Sequence, residues 1–125
     1  MSENEISRII IGCAIEVHRI LGPGLLESVY FEALAWELIQ KRLIVDRQVE
    51  VPILYKGVSL KSPLRLDLLV QKLVIVEVKS VENYNTIYEA QTLTYLKLAN
   101  LKLGLVINFG EKLVRDGIHR VVNGL

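Results

Sequence analysis

The chain has 125 residues, 51% of them apolar and 23% charged, and its 15 Lys and Arg against 14 Asp and Glu leave a net charge of +1. The apolar fraction excludes a disordered polypeptide, the single cysteine Cys13 excludes a disulfide framework, and the near-neutral charge excludes the broad basic coat that non-specific nucleic-acid binding needs. The length suits one domain over residues 1–125, and Glu3, Glu5 and Glu16 around the apolar run Ile9–Ile15 argue against an export leader or a membrane span, so a cytoplasmic protein is expected.

Ser2, with Glu5 three positions on, forms a capping box, and Ile6, Ile9, Ile10, Cys13, Val17, Ile20 and Leu21 follow at helical spacing, which predicts a first helix from about residue 3 to Leu21. Gly22-Pro23-Gly24 ends it. Strong helix formers then run from Leu25 to about Arg42, and Leu26, Val29, Tyr30, Ala33, Trp36 and Leu38 place apolar groups on more than one side, so this second helix is expected to be sandwiched. The mean hydropathy of +0.36 is high for a small monomer, and a homodimer is expected to cover the excess.

From Val49 the period becomes two: Val49, Val51, Ile53 and Tyr55 alternate with Glu50, Pro52, Leu54 and Lys56, with Lys56-Gly57 as a turn and Pro52 marking an edge or strand end. Strands over Leu64–Val70 and Leu73–Ser80 follow, too close together for anything but an antiparallel hairpin. A helix over Thr86–Ala99, a buried strand over Lys102–Asn108 and a short strand over Gly117–Val122 complete the chain. The fold class is α/β (α+β), with a central mixed sheet flanked by helices.

Charged residues inside apolar strands carry the chemical signal, because an ionised carboxylate in a sheet core is costly unless paired or metal-bound. Alternation puts Leu64, Leu66 and Leu68 on one face with Arg65 and Asp67 on the other, while Glu77 and Lys79 share a face opposite Val76 and Val78. A two-residue Gln71-Lys72 turn would put Asp67 and Glu77 on opposite faces. A three-residue loop centred on Lys72 sets them against each other, and the absence of Gly, Asn or Asp at the turn favours it. Two carboxylates about 5 Å apart repel by about 3 kcal/mol at an effective dielectric near 20, so the pair asks for a cation. Oxygen ligands select a hard ion, Mg²⁺ or Mn²⁺, and Lys79 is placed to orient a water or to stabilise charge on a phosphoryl group. The bland alternative is a set of salt bridges joining Asp67 to Arg65 or Lys79, and Glu77 to Lys79.

Gln91 and Tyr95 share one helix face, as do Glu27 and Tyr30. Glu27 is either a partner for the helix dipole or a third acidic group aimed at the cation. His18 and His119 have no Cys/His cluster around them, which makes zinc or acid–base roles unattractive, and Cys13 has the neighbours of a core residue.

These segments together resemble a known family. Gly24-Leu25-Leu26-Glu27-Ser28-Val29-Tyr30 matches the G-x-x-E-x-x-Y signature, and Val17–Pro23, Arg65–Val70, Ile75–Lys79, Gln91–Leu96 and Gly104–Phe109 also look like that family, over essentially the whole chain. The GxxExxY family is a compact branch of the PD-(D/E)XK nuclease superfamily. The resemblance implies a restriction-endonuclease-like core and hydrolysis of phosphodiester bonds in nucleic acid, DNA before RNA. It implies Mg²⁺ or Mn²⁺ held by Asp67 and Glu77, with the Val78 carbonyl and Glu27 as further ligands. Lys79 would be the catalytic lysine, and Gln91 and Tyr95 would line the site; Tyr30 is explained equally by packing. One position departs: Leu66 precedes Asp67 where the superfamily loosely keeps proline. The competing reading is a non-catalytic nucleic-acid-binding or protein-assembly subunit that retains the fold.

Overall fold

The computed structural model describes all of residues 1–125. Helix α1 spans Glu3–Leu21 and begins on the expected capping box, with the Ser2 hydroxyl accepting from the Glu5 N–H. Helix α2 spans Glu27–Gln40, two residues shorter at each end than the sequence suggests. Strand β1 (Val45–Val51) comes next, then two-residue strands β2 (Leu54–Tyr55) and β3 (Val58–Ser59), then β4 (Leu64–Val70), β5 (Val74–Lys79), helix α3 (Ile87–Ala99), β6 (Leu103–Asn108) and, after a 3₁₀ turn at Val114–Gly117, β7 (Ile118–Val122).

The main sheet has five strands in the order β1-β4-β5-β6-β7, with β5 and β6 parallel and every other pair antiparallel. A parallel pair cannot be joined by a tight turn, and α3 supplies the crossover. Helices α1 and α2 cover one face through Ile6, Ile10, Val17, Tyr30 and Leu34, which pack on Leu68, Val76, Val78 and Leu105. Helix α3 covers the other, where Leu96 packs with Leu66, Ile75 and Val106. The mixed sheet between helical layers is the arrangement expected of a restriction-endonuclease-like core. No helix is long and apolar enough to cross a membrane.

Four details correct the sequence reading. The strand expected from Val49 begins at Val45 and stops at Val51, because Pro52 has no N–H for a ladder, and residues beyond it form the separate β2–β3 ribbon with Lys56-Gly57 at its tip. The last strand starts at Ile118, after the 3₁₀ turn. Leu64, Leu66 and Leu68 do not share a face: Leu64 and Leu66 pack under α3, Leu68 and Val70 under α1 and α2. Helix α2 is not sandwiched, since only Tyr30, Leu34, Ala35 and Leu38 are buried, while Trp36 is 58% and Ile39 46% exposed. Its second apolar side lies on the outside of the helical layer.

Candidate active site

The β4–β5 hairpin builds the site. Leu68 pairs with Val76, Leu69 with Ile75 and Val70 with Val74, which leaves a three-residue loop and places Asp67 level with Glu77. The facing arrangement is the one the turn composition favours, although Gln71 and Lys72 both take positive φ (55° and 59°) without being Gly or Asn. Neighbours hold the loop there: the Ile44 N–H donates to Gln71 Oε1 at 2.6 Å, and Lys72 pairs with Asp46 at 2.8 Å.

Beyond Leu68 and Val76 the carboxylates replace the backbone ladder. The Asp67 N–H donates to Glu77 Oε2 at 2.9 Å, and the Val78 N–H donates to Asp67 Oδ2 at 2.9 Å. Each side chain therefore satisfies an N–H of the opposite strand, and Asp67 Oδ1 and Glu77 Oε1 are left without a partner in the protein. Glu77 is only 6% exposed. Burial, then the Asp67 charge, pushes its carboxyl up to about 8, against opposing contributions from the Asp67 N–H and Lys79. Burial raises Asp67 too, opposed by the Val78 N–H and by Lys79.

Such a pair is short of positive charge, and the side chains around it do not supply enough. Arg65 pairs with Glu50 at 2.8 Å, and no salt bridge joins Lys79 to Asp67 or Glu77, so the bland reading of internal ion pairs does not describe the site. Lys79 Nζ instead lies 4.7 Å from the centroid of the Tyr88 ring on α3. Two facing carboxylates with free oxygens fit a hard divalent cation, which for Mg²⁺ is normally held by one or two carboxylates while waters fill the other positions. No three His, Cys, Asp or Glu side chains converge closely enough to ligate one ion by themselves.

Glu27 opens α2 beside this pair. Burial raises its carboxyl, Lys79 lowers it and Asp67 raises it again, which places Glu27 within electrostatic reach of both. Its position is secured by Tyr30, whose hydroxyl donates to the Gly22 carbonyl at 2.5 Å and accepts from the Leu25 N–H at 3.1 Å. The Tyr30 ring is buried and stacks on Phe109 at 4.6 Å. Tyr30 thus pins the Gly-Pro-Gly turn. Glu27, Ser28, Phe31, Gln48, Asp67 and Val78 line a cavity of about 330 Å³. A second cavity of about 630 Å³ meets it at Glu27 and runs along Pro23, Gly24, Ser80, Val81 and Gly110.

On α3, Tyr95 reaches toward the pair: burial, then Glu77 and Asp67, raise its hydroxyl, and Gln91 acts in the opposite sense. Gln91 is exposed. The structure accordingly brings Glu27, Asp67, Glu77, Val78, Lys79 and Tyr95 together, with Gln91 at the rim. His18 is a packing residue bonded to the Glu111 carbonyl at 2.8 Å, and burial raises the Cys13 thiol. His119 stacks on Tyr84 at 4.0 Å.

Two supporting residues escape the sequence reading. Tyr88 is one. The other is Asn108, fully buried at the end of β6, whose Oδ1 accepts from the N–H groups of Val81 (2.9 Å) and Gly110 (3.0 Å) while Nδ2 donates to the Val81 carbonyl at 3.0 Å. It clamps the chain two residues after Lys79. Gly110 lets the segments that follow β5 and β6 approach, since a Cβ there would lie 2.2 Å from the Val81 oxygen.

A mixed sheet between helical layers, with an acidic pair and a lysine where a hairpin opens, defines a nuclease-like class of protein. The sequence matches the family model of the PD-(D/E)XK nuclease superfamily over residues 4–121, and the chain belongs to that superfamily. No curated protein and no solved structure matches it significantly.

Proposed function

We propose that the chain is a metal-dependent nuclease of the GxxExxY type that hydrolyses phosphodiester bonds, in DNA rather than RNA on the strength of the family resemblance. The observation that carries this reading is the facing of Asp67 and Glu77 with one free oxygen each, beside a lysine that neither of them neutralises. Asp67 and Glu77 would hold Mg²⁺ or Mn²⁺, with the Val78 carbonyl as a further ligand and Glu27 acting through water, since the three carboxylates do not converge on one point. The bound ion supplies Lewis-acid polarisation of the phosphate. Lys79 orients the attacking water or stabilises negative charge on the phosphoryl group, Gln91 and Tyr95 fix the substrate against the site, and attack in line with the P–O bond expels the leaving oxygen.

Cleavage of labelled linear duplex, single-stranded and branched DNA and of RNA tests this, with Mg²⁺, Mn²⁺ or EDTA. Metal-dependent cutting by the wild type that Lys79→Ala abolishes is the expected result. Lys79→Ala should still bind Mn²⁺ in calorimetry, whereas Asp67→Ala combined with Glu77→Ala should not. Equal metal binding by that double variant and the wild type overturns the site.

The second reading, a non-catalytic assembly subunit, is favoured by one observation, the exposed apolar side of α2 around Trp36 and Ile39. The same side is where a homodimer would form under the first reading.

A further inference from the structure

Strand β1 contains a residue whose backbone is out of place. Gln48, in the middle of a seven-residue strand, has φ 51°, the left-handed region that L side chains rarely adopt. The β1–β4 register holds on both sides of it, with Arg47 opposite Leu68 and Val49 opposite Leu66, but the level of Gln48 and Asp67 forms no pair. Faces exchange at the same level. Val45 packs under α1 and α2 with Leu68 and Val70, whereas Val49 and Val51 pack under α3 with Leu64 and Leu66. Odd-numbered residues of one regular strand would all share a face. No residue is inserted, so one left-handed turn rotates the chain and β4 rotates with it.

Asp67 sits at that rotation. Unpaired with Gln48, its N–H takes Glu77 Oε2 from the other neighbouring strand, and its own Oδ2 takes the Val78 N–H. The Gln48 side chain is exposed and lines the same 330 Å³ cavity as Glu27 and Asp67. Core packing therefore does not account for the conformation, and non-glycine residues held in such regions cluster at functional sites.

We propose that Gln48 is a positioning residue for Asp67: its left-handed backbone frees Asp67 from the β1 ladder and turns it to face Glu77. The consequence for metal binding rests on the nuclease reading; the consequence for backbone geometry does not. The determinant is the backbone of residue 48, not its amide group.

Three variants test this. Gln48→Gly adopts the conformation without steric cost, and should bind Mn²⁺ as the wild type does and melt at a higher temperature. Gln48→Asn, the next most tolerant residue, should behave as the wild type. Gln48→Val resists positive φ and should draw β1 and β4 into a regular pair, weakening Mn²⁺ binding at least tenfold in calorimetry while the far-ultraviolet dichroism of a folded chain persists. The geometry is read independently by the ¹H–¹⁵N amide shifts of Asp67 and Val78 without metal, which should move in Gln48→Val and stay in Gln48→Gly. Unmoved shifts in Gln48→Val overturn the proposal, as does a Gln48→Gly variant that loses the wild-type shifts. A wild type that binds no Mn²⁺, with the shifts moving as expected, overturns the metal reading and leaves the positioning role standing. If Gln48→Val does not fold, the Gly and Asn shifts decide.

Discussion

The ammonium of Lys79 lies over the ring of Tyr88, 4.7 Å from its centroid, and Tyr84 meets that ring edge-on at 5.4 Å. A cation held against an aromatic face is fixed without being neutralised, unlike one in a salt bridge with a carboxylate. That suits a lysine beside two carboxylates which, under the proposed nuclease function, meets the substrate phosphate. A cation–π contact is worth about 0.5–2 kcal/mol, the larger value when desolvated. Tyr88→Phe keeps the ring and should keep the rate. Tyr88→Leu should lower kcat about tenfold with KM and Mn²⁺ affinity nearly unchanged, because it removes orientation and not binding. Equal kcat in the two variants would show that the contact is idle.

The raised carboxyls fix a direction for stability against pH. Glu77 titrates near 8 in the folded chain against an ordinary value of 4.5. Through that window the unfolded chain releases a proton that the folded chain retains, so stability falls as pH rises. Asp67 and Glu27, also raised, push the same way, whereas Glu5, lowered chiefly by its hydrogen bond to Ser2, acts oppositely but below its own ordinary value. In EDTA the wild-type Tm should decline between pH 5 and 8, and Glu77→Gln should flatten the decline. Added Mg²⁺ should raise Tm most at the alkaline end, where the folded pair is ready to ionise. A Tm that climbs over this range in EDTA would contradict the assigned burial of Glu77.

The legible parts of the fold and site were those governed by local rules. Capping at Ser2 and Glu5 is read within one turn, and the Asp67–Glu77 encounter follows from hairpin parity and the residues at the turn. Tyr88, Asn108 and Gln48 obey no such rule. Tyr88 meets Lys79 only because α3 crosses back over the sheet, and Asn108 meets Val81 only because β6 runs parallel to β5. At Gln48 the alternation of Leu64, Leu66 and Leu68 misled, since spacing in the sequence continues unbroken through a rotation of the backbone. On α2, apolar residues on two sides suggested burial on two sides, but only one side of the helix is packed.

Asn108 provides a direct stability test. Its amide makes three hydrogen bonds to the backbone of Val81 and Gly110 from a fully buried position. Asn108→Ala leaves two N–H groups and one carbonyl without these partners, each at roughly 1–3 kcal/mol if no water replaces it. The expected loss is about 3 kcal/mol by urea denaturation, with faster amide exchange at Val81. A loss under about 0.5 kcal/mol, the range of an ordinary surface substitution, would show that the clamp is not needed to hold the chain after Lys79.

The outer side of α2 bears on assembly. Trp36 and Ile39 are 58% and 46% exposed, and Ile20 on α1 is 61% exposed nearby, where Val17, Leu21, Ala33 and Trp36 also border a shallow groove. Large apolar groups gathered on one surface are the usual mark of an interface. Sedimentation of the wild type should give a dimer, and Trp36→Glu should shift it to the monomer mass, because a carboxylate buried at an interface without a partner costs several kcal/mol. Cleavage by the monomeric variant then separates two uses of the surface. Retained cutting assigns the dimer to stability and each site to one chain; lost cutting, with Mn²⁺ binding intact, makes the second chain part of the path the nucleic acid follows.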